Sequence, residues 1–282
     1  LNVESLIRKK TKYNGEIKFL SHHLCHIAGT YYPSGFKDAL IFSIDGIGDN
    51  VSSHIANGVN NKINLIHSGS KFPNSLGLFY SAITDYLGWL HHCDEGIIMA
   101  LACYGNPYSN IPGRKETYID IMRDIIKNKN NFDIEINQDY TTFQYEKNTW
   151  VSKKFLKIFG PRRKYKQKIN QNHINLASAL QKRLEEIVLI QLRKAKKLTG
   201  QKKLCLSGGV ALNCSMNGKI LRSKIFDEIF VQPASGDSGT VIGGCYLASK
   251  KSKNSTKTKD WNSYKGSEFN DKQIKKVLIK KK

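Results

Sequence analysis

Short apolar runs and helically spaced apolar residues alternate along this chain of 282 residues. Residues 39–44, "ALIFSI", are apolar except for Ser43 and have the pattern of a buried strand, and two segments of alternating apolar and polar residues follow them. Turns that contain Gly and Asn, the first of them "DGIGDN", separate these segments. Short strands joined by such turns indicate a meander, so we predict three antiparallel strands between Ala39 and Gly69.

Helical spacing marks several later segments. The apolar residues that share a face of the first predicted helix are Leu76, Phe79, Tyr80, Ile83 and Leu87. Asn74 or Ser75 is suited to cap that helix. The clearest amphipathic pattern spans residues 172–198, and shorter helices are predicted at "ETYIDIMRDIIKN" and in the final segment, where Asn270 or Asp271 would start the helix.

Strands alternate with helices after the long helix. "KKLCLSGGVALNCSMNGKI" has the pattern of a strand, a glycine turn and a helix, "DEIFVQP" that of a strand, and "DSGTVIGGCYLASK" that of a helix whose first residue is Asp237. This alternation predicts a layered α/β fold. Between Asn106 and about Pro161 the pattern weakens into polar sequence, which we interpret as an inserted subregion.

The charge balance is strongly basic, with 45 Lys and Arg against 23 Asp and Glu. Such an excess raises the possibility of a nucleic-acid partner. The excess is mostly lysine in runs that lack interleaved aromatic residues, so a solvated surface is the better interpretation and no nucleic-acid partner is expected. A solvated basic surface is also compatible with the attraction of anionic ligands.

Cysteine usage and hydropathy bear on the cellular setting. The six cysteines are scattered without CxxC spacing, which argues against a disulfide framework and favours a reducing, cytoplasmic location. No apolar stretch approaches the roughly 18 residues that a membrane span requires, and the start of the chain has no signal-peptide pattern.

The stretch "SHHLCHIAGT" carries His22 and His26 at the i and i+4 positions. In a helix both imidazoles would lie on one face and could bind one metal ion. The same pattern also occurs in helices that carry ordinary half-buried histidines.

Two carboxylates and a glycine turn stand at comparable junctions. Asp45 follows the buried strand, Asp237 lies between a strand and a helix, and "SGGVALN" places Gly208, Gly209 and Asn213 at another such junction. Glycine turns that open helices can cradle phosphate. From the residues alone, purely structural roles are as well supported as functional ones. Asp45 could be a turn residue, Asp237 an N-cap, and the glycines a tight connection.

Two imidazoles and two carboxylates form a mixed nitrogen and oxygen donor set. This set suits iron, manganese or zinc better than calcium. The candidate ligands are His22, His26, Asp45 and Asp237.

Several of these segments resemble one family in their residues and in their order along the chain. They are "SHHLCHIAG", "IFSIDGIGD", "FPNSLGLFYSAITDYLG", "EGIIMALACYG", "LCLSGGVALNCSMNGKI" and "FVQPASGDSGTVIGG". The chain is similar to the O-carbamoyltransferases, the nodulation-type family that also serves antibiotic biosynthesis. The similarity covers roughly residues 15–250 apart from the variable middle.

The resemblance implies an actin-like ATPase fold of the ribonuclease H-like type, with mixed sheets and flanking helices, related to the threonylcarbamoyl transferases. Residues 1–250 would form this domain, with an insert at about 106–161, and the family's first strands would precede Leu1. Residues 251–282 would be a linker and the start of a C-terminal domain that makes carbamoyladenylate from carbamoyl phosphate and ATP. The first domain would then pass the carbamoyl group to a hydroxyl of a small molecule or saccharide.

The resemblance also implies roles for individual residues. His22, His26, Asp45 and Asp237 would hold the metal, with iron favoured and manganese or zinc as alternatives. Gly46 and Gly48 would lie near phosphate, and Gly208, Gly209 and Asn213 near the nucleotide. His23 and Cys25 would be packing residues. No residue is assigned as the catalytic base.

The chain departs from the family pattern after Glu95, where Ile97 stands in place of a usual lysine. A degenerate module that binds nucleotide or metal without transfer is therefore one alternative, and a tRNA-modifying relative is another. His91, His92 and Cys93 offer a weaker candidate for a second metal site.

Overall fold

A five-stranded mixed sheet organises the computed structural model, which describes residues 2–129, 132–249 and 266–281. The strands of the described residues are β1 (Asp38–Gly48), β2 (Val51–Val59), β3 (Lys62–Ser68), β4 (Ile126–Asn128), β5 (Ile134–Ile136), β6 (Lys203–Ser207) and β7 (Glu228–Val231). The central sheet has the order β3-β2-β1-β6-β7, while β4 and β5 form a separate hairpin.

Helices flank the sheet on both faces. In the described residues they are α1 (Val3–Thr11), α2 (His22–Tyr31), α3 (Leu76–Tyr86), α4 (Glu95–Ala102), α5 (Tyr118–Ile125), α6 (Lys153–Phe159), α7 (Gln171–Thr199), α8 (Cys214–Arg222), α9 (Thr240–Ala248) and α10 (Asp271–Lys280). None of these helices is long and apolar enough to cross a membrane.

The predicted meander of three antiparallel strands is confirmed. β1 pairs with β2 and β2 with β3, through turns at Asp49–Asn50 and Asn60–Asn61 whose residues all have positive φ. This conformation matches the right-handed twist of a hairpin. The expected turn directly after Ile44 is wrong, because β1 continues through an irregular stretch to Gly48.

The rest of the sheet is parallel, since β1 pairs with β6 and β6 with β7. Three antiparallel strands followed by two parallel ones, with β1 in the centre, are the strand arrangement of the ribonuclease H-like fold. The predicted α/β fold is therefore confirmed.

Alternate residues of β1 face opposite layers, as the two-residue period of a strand requires. Ala39 and Ile41 pack with Ile27 and Tyr31 of α2 in one apolar cluster. The side chains at 40, 42 and 44 belong to the larger core, which α3 and α7 also build. Because β1 is buried on both faces, its end lies between two helical layers.

Helix starts agree with several predicted caps. The Ser75 hydroxyl accepts a hydrogen bond from the Leu78 N–H at the start of α3, and Asn270 caps α10. The predicted start of α9 is wrong: Asp237 begins a short 3-10 turn, and α9 itself starts at Thr240. The N-cap residue of that turn is Gly236, so Asp237 does not occupy the capping position predicted for it.

Further elements have no counterpart in the predictions, namely α1, α4, α6 and the hairpin of β4 and β5 within the insert. The helix predicted in the insert is present as α5, capped by Thr117. The predicted linker after residue 250 lies outside the described residues.

Candidate functional site

Helix α2 places the two candidate histidines side by side. His22 is its first residue and His26 lies one turn later, with the two Nε2 atoms 3.1 Å apart. His26 is almost fully buried, whereas His22 is partly exposed. The helical arrangement predicted for this pair is present.

Asp45 divides its two oxygens between two tasks. Its Oδ2 lies 2.8 Å from Nε2 of His22 and 3.0 Å from Nε2 of His26. Its Oδ1 accepts hydrogen bonds from the backbone N–H groups of Gly46 at 2.8 Å and Gly209 at 3.1 Å. The backbone therefore orients the carboxylate, and the other oxygen faces the histidines.

Asp237 completes the group from the opposite wall. Its Oδ1 lies 3.7 Å from Nε2 of His22 and 3.6 Å from Nε2 of His26, and its side chain is 78% exposed. One ligand atom from each of the four residues lies within 4.8 Å of the others. We call His22, His26, Asp45 and Asp237 the donor group.

The spacing of the donor group fits a transition metal. Metal–ligand bonds of roughly 2.1 Å put neighbouring ligand atoms roughly 3.0 Å apart in an octahedron and roughly 3.4 Å apart in a tetrahedron. The separations involving the histidine nitrogens range from 2.8 Å to 3.7 Å and bracket both values. Two imidazoles with two carboxylates are also donors that iron, manganese and zinc accept.

Electrostatics within the group favour the ionised carboxylate. Burial opposes ionisation of Asp45, but the hydrogen bonds from His22 and His26 outweigh it and hold the pKa of this carboxyl well below its usual range. The hydrogen bond to Asp45 raises the pKa of His22, against the opposing effect of burial. Asp45 is thus kept in the charged form that binds a cation.

His23 points away from the donor group. Its Nδ1 lies 3.0 Å from Oγ of Ser43 and its Nε2 lies 2.9 Å from the Val51 carbonyl oxygen. Its ring stacks on His54, and burial lowers its pKa to about 4. A neutral, fully hydrogen-bonded ring has a structural role, which is the packing role that we predicted.

A cavity of about 580 Å³ opens beside the donor group, and we call it the central cavity. Five of the predicted site residues line it, namely Asp45, Gly46, Gly209, Asn213 and Asp237. Three of the five candidate phosphate and nucleotide residues, Gly46, Gly209 and Asn213, therefore share one cavity with the two carboxylates of the donor group.

Two predicted glycines lie behind the cavity wall. A Cβ at Gly48 would meet the His22 ring at 2.0 Å, so this glycine leaves room for the imidazole. Gly208 has a φ of 88° and a Cβ there would lie 2.1 Å from the Ile44 carbonyl oxygen. Both glycines allow close packing of backbone at the site, and their predicted proximity to phosphate or nucleotide stays a prediction.

Asn213 is held in place by its neighbours. Its Oδ1 caps α8 by accepting from the Met216 N–H, and its side-chain amide exchanges hydrogen bonds of 2.8 Å and 3.0 Å with Gln181. Gln181 also accepts from the Tyr80 hydroxyl. This network fixes the floor of the central cavity.

The sequence interpretation missed several residues that line the central cavity, including Tyr80, Ser81, His92 and Glu95. The Glu95 carboxylate accepts from the Ser81 hydroxyl at 2.5 Å and from the His92 N–H at 2.6 Å. Tyr80 was interpreted as part of an apolar face, and helical spacing cannot tell a core residue from one that also borders a cavity. Glu95 is the first residue of "EGIIMALACYG", and the resemblance of that segment to the family was the signal that could have indicated it.

Within the described ranges, the donor group is the one set of His, Cys, Asp and Glu residues close enough to share a metal ion. His91, His92 and Cys93 form no second set there. His91 and His92 instead pack around Trp150, with ring centroids 4.3 Å and 5.3 Å away.

Comparisons with known proteins identify the family. The model of the carbamoyltransferase N-terminus family matches residues 1–246. Nodulation protein NolO of Bradyrhizobium diazoefficiens is 35% identical over 82% of this chain, and nodulation protein NolNO of Sinorhizobium fredii is 37% identical over 83% of it. The chain spans only 38% and 32% of the lengths of these two relatives.

An uncharacterised protein of Synechocystis is 36% identical over 83% of the chain, which covers 37% of that protein. Among solved structures, T. kodakarensis HypF is similar with a TM-score of 0.48 and 12% identity, over 89% of this chain and 39% of HypF. The match to the family model covers most of the chain, and the chain belongs to the carbamoyltransferase N-terminus family.

Proposed function

We propose that the protein carrying this chain is an O-carbamoyltransferase. It would transfer a carbamoyl group from carbamoyladenylate to a hydroxyl of a small molecule or saccharide. The observation that carries the proposal is the donor group, whose two carboxylates line the same cavity as Gly209 and Asn213. Family membership supports a transferase, and the geometry supports a site where a cation meets a nucleotide.

The donor group would hold the metal, with iron favoured and manganese or zinc as alternatives. When bound, such a cation would neutralise phosphate charge and make the adenylate a better leaving group. The protein's own contribution is to orient Asp45 through the Gly46 and Gly209 N–H groups and to bury His26. Gly46 and Gly209 in the cavity wall would leave room for the phosphate and nucleotide of carbamoyladenylate.

The transfer step is an acyl substitution. The acceptor oxygen forms a bond to the carbamoyl carbon, the bond from that carbon to the adenylate phosphate oxygen breaks, and AMP leaves with that oxygen. The acceptor hydroxyl loses its proton in the step. Glu95 is the carboxylate of the central cavity outside the donor group, and it is our candidate to accept that proton.

The donor substrate requires a second active site. Carbamoyladenylate would be made from carbamoyl phosphate and ATP by a C-terminal adenylate-forming domain, to which residues 251–282 would lead. The relatives named above are much longer than this chain, which is consistent with such a partner domain. A cytoplasmic location is part of the same proposal, because both substrates are cytoplasmic metabolites.

A transfer assay tests the proposal. Purified protein loaded with Fe²⁺ would be incubated with carbamoyladenylate and a panel of mono- and oligosaccharides, and products would be followed by mass spectrometry. We expect one carbamoyl group to be added to an acceptor, at a rate that Asp45→Asn abolishes and His67→Gln preserves. Hydrolysis of carbamoyladenylate without transfer to any acceptor would contradict the proposal.

Ile97 favours a second candidate function, a degenerate module that binds metal or nucleotide without transfer. The side chain is apolar and 42% exposed where the family usually carries a lysine. Stoichiometric metal and nucleotide binding without transfer would support this candidate.

The basic charge is the feature that a tRNA-modifying relative would use, and salt-dependent tRNA binding would be its signature.

A further inference from the structure

A second cavity, of about 620 Å³, lies next to the central cavity, and we call it the basic cavity. Its lining includes Trp89, His91, Arg162, Arg163, Lys164 and Tyr165. Helix α3 borders both cavities, with Ser81 in the central one and Asp85 about one turn later in the basic one. His92 lines the central cavity and the preceding residue, His91, lines the basic cavity, so the two cavities adjoin at α3 and at the loop after it.

Arg163 is the unusual residue of the basic cavity, because its guanidinium is buried without a counter-charge. The residue is only 6% exposed. It donates to the carbonyl oxygens of Leu87 at 2.6 Å and Gln167 at 2.9 Å, and it lies 4.4 Å from the centre of a Trp89 ring. No carboxylate of the described residues forms an ion pair with it. The partners of this buried charge are neutral, so a ligand anion that reaches the guanidinium would supply the ion pair that it lacks.

Other polar groups of the basic cavity point to the same kind of ligand. Arg162 forms an ion pair of 2.6 Å with Asp85, so this carboxylate is already paired and leaves Arg163 and Lys164 as excess positive charge. Nδ1 of His91 is buried and has no hydrogen-bond partner among the described residues. A planar guanidinium group can donate two parallel hydrogen bonds to two oxygens of one phosphate or carboxylate.

Aromatic rings extend the basic cavity beyond its charges. Trp89 and Tyr165 both line it, and Tyr165 is 72% exposed. Flat apolar surfaces beside a few placed polar groups are typical of sites for organic ligands rather than for bare ions. The exposed ring of Tyr165 suits the carbon–hydrogen face of a sugar.

We propose that the basic cavity binds the anionic group of the acceptor, and that the acceptor is a saccharide bearing a phosphate or a carboxylate. This inference rests on the proposed transferase function and specifies its substrate class. With the anion held against Arg163, the sugar would reach past the loop after α3 and present a hydroxyl to the central cavity.

Tryptophan fluorescence tests this binding independently of transfer. The purified protein would be titrated with glucose 6-phosphate, glucuronate, glucose and inorganic phosphate, with Trp89→Phe identifying the reporting side chain. We expect saturable changes with at least one of the two anionic sugars, and the better of the two identifies the anion. The Arg162→Gln/Lys164→Glu double variant should bind it about tenfold more weakly.

The matched control is Lys219→Glu/Arg222→Gln, which lowers the net charge equally at exposed positions of α8. It should bind the anionic sugar as the wild type does. Equal loss in both double variants, equal affinity for glucose or for inorganic phosphate, or no saturable change would each overturn the inference. Arg163→Lys keeps the charge but loses the planar fork, so weaker binding by a folded Arg163→Lys protein would support it. Sugar binding without any carbamoyl transfer would count against the proposed function alone.

Discussion

The backbone N–H of Gly209 donates a hydrogen bond of 3.1 Å to Oδ1 of Asp45, across 164 positions of sequence. This contact joins the glycine turn after β6 to the irregular end of β1. Since Oδ1 also accepts from the Gly46 N–H, Oδ2 is left to face the two histidines. The glycine turn that the family resemblance predicts to lie near the nucleotide therefore also positions a candidate metal ligand.

Gly209→Ala should weaken metal binding without unfolding the protein. A Cβ at this position would lie 2.9 Å from Oδ1 of Asp45 and would displace the carboxylate. Loss of a group that orients a ligand typically weakens metal affinity about tenfold or more. Anaerobic titration with Fe²⁺ measures the affinity. Gly236→Ala is the control, because its Cβ would have Leu212 as its nearest neighbour at 3.8 Å. Equal affinities in the two variants would show that Gly209 does not position Asp45.

His26→Gln should abolish stoichiometric metal binding. His26 is the most deeply buried member of the donor group, and no further imidazole or carboxylate of the described residues joins the group to replace its Nε2. Elemental analysis of purified protein should find one equivalent of iron, manganese or zinc in the wild type and none in this variant. His67→Gln is the control, since His67 pairs with Asp133 outside the donor group. Metal that persists in His26→Gln would contradict the assigned ligands.

Much of the fold follows from local patterns, and the failures have local causes. The three-stranded meander and the long helix were predictable because their apolar periods are regular. The turn predicted at Asp45 is wrong. "DGIGDN" contains turn-forming residues, but β1 continues through its first four residues and pairs with β2 again at Gly48. The predicted start of α9 is wrong because a 3-10 turn precedes the helix. The sequence alone does not distinguish an Asp that caps a helix from one that only precedes it.

The donor group was predictable in membership but its supporting contacts were not. The spacing of His22 and His26 is a local signal, and helical geometry turns it into a shared face. The hydrogen bond from Gly209 to Asp45 depends on β1 and β6 lying side by side, which no local pattern specifies. The basic cavity depends in the same way on Arg163 packing beside α3, far away in the sequence.

Nucleotide should protect Cys93 from alkylation. This thiol is exposed and lines the central cavity, whereas Cys245 is exposed on α9 and does not line it. At about ten times its Kd, ATP should slow labelling of Cys93 by iodoacetamide about tenfold and leave Cys245 unchanged, as mass spectrometry of peptides can measure. Burial raises the pKa of Cys205 to about 12, so this thiol should stay unlabelled in the folded protein. Equal protection of Cys93 and Cys245 would count against nucleotide binding in the central cavity.

Gly243→Ala and Gly244→Ala should have opposite effects on stability although the two glycines are adjacent in α9. A Cβ at Gly243 would lie 1.8 Å from the Cys25 carbonyl oxygen, so α2 and α9 would have to separate. Overpacking of this kind costs about 1–3 kcal/mol of unfolding free energy. A Cβ at Gly244 would meet nothing closer than Leu20 at 3.9 Å, and alanine is favoured over glycine in a helix by up to about 1 kcal/mol.

Urea unfolding of the metal-free variants measures both effects. Separation of α2 from α9 would also move His22 and His26 away from Asp237, which precedes α9. Gly243→Ala should therefore lose Fe²⁺ affinity together with stability, while Gly244→Ala keeps its affinity. If Gly243→Ala were destabilised but bound Fe²⁺ as tightly as the wild type, the close approach of the two helices would serve the fold alone. That result would show that Asp237 does not contribute to the Fe²⁺ affinity.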